Sequence, residues 1–127
     1  MLPLYRNILL VSLTLLAVAC ASPQPTAPTA ELKARADDAM RLQVMCAARN
    51  VSEVDDGISD AQSVALALSL RCYREYQQAI EAFGNANLDN DNQRRMFREK
   101  SNRSQAKIEA FLPRVMRYRA SLRKKKP

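Results

Sequence analysis

Apolar residues recur at three- and four-residue steps along most of this chain, the spacing that lines one face of a helix. From position 31, Leu32, Ala36, Ala39, Met40, Ala47, Val51 and Val54 fall on one face, and Lys33, Arg35, Asp37, Asp38 and Arg41 lie largely elsewhere. Asp55-Asp56-Gly57 interrupts this first helix, and Gly57 suits the left-handed conformation just past a helix end. Ser59-Asp60-Ala61-Gln62 then reads as a capping box, with the Ser59 hydroxyl accepting from the Gln62 amide. A second helix is predicted over 60–83, because Val64, Leu68, Cys72, Tyr76 and Ile80 step by four and Ala65, Leu66, Ala79 and Phe83 widen the stripe. Gly84-Asn85-Ala86-Asn87 is expected to end it. Asp89-Asn90-Asp91-Asn92 leads into a third helix with apolar Met96, Phe97, Ile108, Phe111, Leu112, Val115 and Met116. Its middle, 100–105, is poor in apolar residues, and Pro113 predicts a kink or break. The expected fold is therefore all-α: a small three-helix arrangement built on an antiparallel helical hairpin.

The first thirty residues follow different rules. Arg6 precedes an uncharged run at 8–19, shorter than the roughly 20 apolar residues that span a bilayer and matched to a signal-peptide core. An uncleaved membrane anchor is the alternative. Ala17-Val18-Ala19 fits the small-x-small pattern of a signal-peptidase site. Followed by Cys20, the same residues resemble the lipobox of bacterial lipoproteins, with Ala17 where leucine is commoner. The resemblance implies that Cys20 carries lipid and becomes the first mature residue. Ala21 does not look like the aspartate that retains lipoproteins at the inner membrane, which implies the periplasmic face of an outer membrane. Positions 20–30 hold three prolines and no charge, so this stretch reads as an extended tether of about 30 Å.

Three cysteines in an exported chain leave an odd thiol. Lipid on Cys20 leaves Cys46 and Cys72 as an even pair in an oxidising compartment, where a disulfide persists; two buried thiols are the alternative. Residues bridged across an antiparallel hairpin lie about equally far from its turn. Position 59 is midway between Cys46 and Cys72, beside the predicted turn, so the pairing requires the first helix to continue to about Val54. Cys46, Asp55-Asp56-Gly57, Ser59-Asp60-Ala61 and Cys72 together resemble an uncharacterised group of small exported proteobacterial proteins. That resemblance implies a disulfide-stapled hairpin and no particular activity.

Charge divides the chain. Positions 20–93 carry 6 basic and 11 acidic residues, net −5, whereas 94–127 carry 13 basic and 2 acidic, net +11. Dense positive charge signals an anionic partner, although a solvated helix face reads the same way. Export removes nucleic acid from consideration and leaves anionic lipid, lipopolysaccharide or peptidoglycan. The candidate contacts are Arg114, Arg117, Arg119, Arg123, Lys124, Lys125 and Lys126, interleaved with Val115, Met116, Tyr118 and Leu122 as in an interfacial helix.

Catalytic chemistry finds little support. With no histidine, neither a Ser-His nor a Cys-His nucleophile can be assembled. Asp55/Asp56 and Asp89/Asp91 sit in polar turn sequence and read as turn and cap residues. The stretch from Asp89 has Arg94 and Lys100 where a calcium loop needs glycine and glutamate. Two glycines in the whole chain provide no phosphate cradle. No cofactor or metal is expected, and the chain is read as non-enzymatic. Its expected parts are a signal peptide at 1–19, lipidated Cys20 with a linker over 20–30, a helical domain at 31–112 and a basic segment at 113–127. The expected role is an envelope lipoprotein that binds an anionic component or an envelope protein. The alternatives are an assembly lipoprotein pairing through its helices and a soluble periplasmic protein.

Overall fold

The structure, a computed structural model, describes residues 29–125, so the expectations for the signal peptide, Cys20, most of the linker and Lys126 lie outside the described residues. Thr29 starts the first helix by accepting the Leu32 amide on its hydroxyl, and α1 runs over Ala30–Val54. The chain then reverses through a turn held by two carboxylates. Asp55 accepts from the Gly57 amide at 3.0 Å, and Asp56 from the amides of Ile58 and Ser59 at 2.9 and 2.8 Å. Gly57 takes a φ of 73°, the left-handed conformation anticipated for it.

α2, Ala61–Arg71, is capped one residue later than the sequence pattern suggests. Asp60, not Ser59, accepts the amides of Gln62 and Ser63, each at 3.0 Å. The Ser59 hydroxyl is engaged elsewhere, donating to Asp56 at 2.6 Å. A carboxylate is also the stronger acceptor at the positive end of a helix.

The helix predicted over 60–83 is divided. Cys72, at φ −103° and ψ 28°, separates α2 from α3, Tyr73–Asn87. The stripe nevertheless survives the interruption: Val64, Leu68, Cys72, Tyr76 and Ile80 are all buried. Gly84 does not end the helix. It is buried inside α3, where a Cβ would make only ordinary contact with Phe97 and Leu88, and the helix continues despite the roughly 1 kcal/mol penalty of glycine.

The third predicted helix is also two. Asn90 caps α4, Asp91–Ser101, by accepting the Gln93 amide, and the Gln93 side chain reaches back to the Asp89 amide. α5 covers Ser104–Lys124. The break falls at Asn102 and Arg103, within the stretch poor in apolar residues, and α5 continues unbroken through Pro113. Pro113 lies on the solvent side, where water can satisfy the carbonyl that it frees, between fully buried Phe111 and Val115. The boundary expected at 113 thus has no counterpart in the secondary structure.

Among the described residues there are five helices and no strand, arranged as three antiparallel rods: α1, α2 with α3, and α4 with α5. α5 lies along α2 and reaches α1; α4 lies along α3 and its backbone makes no close approach to that of α1. The α4–α5 break lies against the start of α3, and polar contacts join the two. The Tyr76 hydroxyl donates to the Ser101 carbonyl at 2.7 Å, supplying a partner at the frayed end of α4, and Gln77 donates to Asn102 at 2.6 Å. Below them the Tyr76 and Phe111 rings pack at 5.6 Å. Cys46 and Cys72 are disulfide-bonded with Cα atoms 5.9 Å apart, joining α1 to the second rod as expected. Replacing both cysteines by alanine opens a 26-residue closure and is expected to lower the unfolding free energy by about 3 kcal/mol, measured by urea denaturation against the oxidised parent.

Candidate functional site

The predicted basic segment forms the C-terminal half of α5, and what it can present depends on how α5 is rotated. Phe111 and Val115 are fully buried, with Ile108, Leu112 and Tyr118 packed against the same core. This fixes the inward face. At 3.6 residues per turn, Arg103, Lys107, Ala110, Arg114, Arg117, Ser121 and Lys124 then follow one another along a single flank. Five of these seven positions are cationic and none is acidic. The one carboxylate of α5, Glu109, lies on another face, where Gln105 donates to it at 2.9 Å.

Arg119 is removed from the predicted contact set. Its guanidinium points inward and grips Asp55 with two hydrogen bonds, at 2.8 and 2.6 Å, and donates at 2.7 Å to the Ser59 carbonyl. The Asp55 side chain is 1% exposed and that of Arg119 is 22% exposed, so this pair is shielded from water. The Arg119 hydrogen bond holds the Asp55 carboxyl below its usual range, against the opposing effect of burial. Asp56, fully exposed, is lowered to about 2 by the hydroxyl and amide of Ser59 and the amide of Ile58. The α1–α2 turn therefore reads as a receptor for α5, a role beyond the turn and cap function expected of Asp55.

The other predicted cations divide. Arg114 and Arg117 are on the ridge, Arg114 half-buried and Arg117 exposed with its Nε donating to the Pro113 carbonyl. Lys124 is an exposed ridge position, and exposed Lys125 caps the end of α5. Arg123 points nearer the Met116 side and, with Lys124, sits in the last turn, where positive charge also favours the helix dipole. Arg103 and Lys107 were not anticipated as contacts, although their spacing to Arg114 and Arg117 is legible in the sequence. Lys107 also lies over the Tyr73 ring, 5.8 Å from its centroid.

A second feature is an apolar groove of about 240 Å³ between α1 and α4, floored by Tyr76, Ile80 and Phe83 and walled by Met40, Gln43 and Phe97. It exists because α4 and α1 flank α3 without a close approach of their backbones to each other. Cys46 and Cys72 serve the fold rather than a site. Among the described residues no cluster of three acidic, cysteine or histidine side chains is placed to hold a metal, and no helix is long and apolar enough to cross a membrane.

Asp55→Ala leaves Arg119 charged and unpaired, and is expected to cost about 3 kcal/mol of stability in denaturant titration. Made in an Arg119→Met background, it is expected to cost much less. Because the folded-state pKa values of Asp55 and Asp56 are depressed, their stabilisation is complete above the unfolded value near 3.8 and lost as pH falls below it, for Asp56 through about 2. Thermal unfolding followed by circular dichroism should show that acid limb, and Asp55→Asn with Asp56→Asn should make it shallower, with Asp60 and Glu75, also depressed, still contributing.

No protein-family model, no curated protein and no solved structure matches this chain, and its functional reading rests on its own geometry.

Proposed function

We propose that this chain is a non-enzymatic lipoprotein of the cell envelope, anchored through Cys20, whose helical bundle holds an anionic envelope component against the basic ridge of α5. The observation that carries this reading is the ridge itself, Arg103, Lys107, Arg114, Arg117 and Lys124 on one flank with no carboxylate among them. A solvated surface helix normally intersperses both signs of charge. The lipobox-like Ala17-Val18-Ala19-Cys20 and the uncharged, proline-bearing stretch after it supply the envelope address and the reach. The Cys46–Cys72 bridge fits an oxidising compartment, and the address favours the periplasmic face of an outer membrane.

The groove beside Met40, Phe83 and Phe97 favours a second reading, an assembly role in which this surface takes a helix of another copy. Light scattering separates the two: a stable dimer that Phe83→Glu dissociates supports assembly, and a monomer at all concentrations removes it.

Deleting residues 114–127 is a poor test of the ridge, because Val115 and Arg119 hold the fold. Arg114→Glu with Arg117→Glu is the cleaner change. It is expected to weaken binding to anionic vesicles or to cell-wall sacculi about a hundredfold at low salt, at about 1 kcal/mol per cation plus the repulsion introduced. Unchanged binding to both would discard the ridge. Intact-mass measurement of the membrane-fractionated protein tests the anchor, which predicts a chain starting at Cys20 with acyl mass added.

A further inference from the structure

The geometry points to the lipid bilayer itself as the anionic partner, with Leu70 and Tyr73 entering it while the ridge of α5 binds the headgroups. This inference rests on the ridge reading and narrows it from any anionic component to one.

Gln77 meets Asn102, Tyr73 meets Lys107, and the Ser59 carbonyl meets Arg119, so positions fall along the second rod as they rise along α5. On that register Leu70 sits level with Ala110, Leu66 with Arg114 and Ser63 with Arg117. Leu66, Leu70, Tyr73 and Gln77, at steps of four, three and four, follow one flank of the second rod, beside the ridge.

Leu70 is 63% exposed and Tyr73 is 51% exposed. One exposed apolar side chain says nothing, since such residues are common on soluble surfaces. Their surroundings are what matter. Positions 61–74 contain no acidic residue, and neither does the ridge, so two adjacent rods present a face without a carboxylate there. Its centre is leucine and tyrosine, and its border is Arg103, Lys107, Arg114 and Arg117.

A polysaccharide or polyphosphate strand would use the cations and gain little from an exposed leucine. A bilayer uses both. Leucine leaves water for the acyl boundary, tyrosine places its ring there with its hydroxyl at the headgroups, and arginine and lysine stems extend to phosphate. α5 is about 30 Å long at 1.5 Å per residue and lies beside α2, so the two can rest side by side on a membrane surface.

The test uses the chain from residue 20 with Cys20→Ser, so that no acyl group holds it to lipid; all of the described bundle is retained. Binding is measured by flotation with phosphatidylcholine vesicles with and without phosphatidylglycerol, and to soluble polyphosphate. The parent is expected to bind phosphatidylglycerol vesicles, and Leu70→Gln with Tyr73→Gln to weaken that binding by about tenfold or more while polyphosphate binding stays the same. Equal vesicle binding by parent and double variant overturns the inference and leaves the ridge reading standing, as does a parent that binds polyphosphate but no vesicle. A parent that binds neither removes both. Leu70→Trp provides an independent readout, because the chain has no tryptophan of its own. Its fluorescence is expected to be quenched by brominated acyl chains in the bound state, and full emission from bound protein would overturn the inference.

Discussion

The orientation of α5 depends on a contact between residues 64 apart in sequence, the Arg119 guanidinium closed on the Asp55 carboxylate. Phe111 and Val115 set which face of α5 turns inward, but apolar packing alone tolerates slippage along the rods. The ion pair with the Ser59 carbonyl ties one point of α5 to one turn, and Tyr76 with Ser101 holds the end of α4 just before α5 begins. Between these two points the helix has little freedom to rotate. The same constraint that places Arg119 inside the molecule therefore places Arg103, Lys107, Arg114 and Arg117 together outside it.

The remaining architecture follows in layers. The Cys46–Cys72 bridge and the Asp55–Ser59 turn close the hairpin of α1 with the second rod, and the bridge limits how far the unfolded chain can expand. α5 fills the space along α2 and completes the core. α4 is held more lightly: none of its residues is buried, and its attachment rests on the Phe83–Phe97 ring contact, the Arg94 bond to the Leu88 carbonyl and the junction at Tyr76 and Gln77. The groove beside it is the space that this light attachment leaves. Local opening is expected to begin there, because few apolar contacts oppose it.

Much of this was legible in the sequence because it is local or periodic. The four-step stripe from Val64 to Ile80 is buried throughout, the cysteines pair about the turn that lies midway between them, and Gly57 takes a positive φ. The features not read depend on contacts between distant positions. Nothing near Cys72 announces a break, since the apolar stripe continues through it. Gly84 resembles a terminator until Phe97 is packed over it. Arg119 looks like its basic neighbours until Asp55 is brought beside it. Arg103 and Lys107 are a different case, for their helical spacing to Arg114 and Arg117 is present in the chain itself.

The claim central to this account is that one flank of α5, with the adjoining face of α2, is what the protein turns towards a membrane. A spin-label scan tests it most directly, with single labels placed in turn from position 103 to 117 on the vesicle-bound protein, and accessibility to oxygen and to a polar nickel chelate compared at each site. The account predicts a 3.6-residue period with the lipid-facing maximum at 110 and 114 and the water-facing maximum at 109 and 116. A flat profile, or a lipid-facing maximum on the Glu109 side, would contradict it.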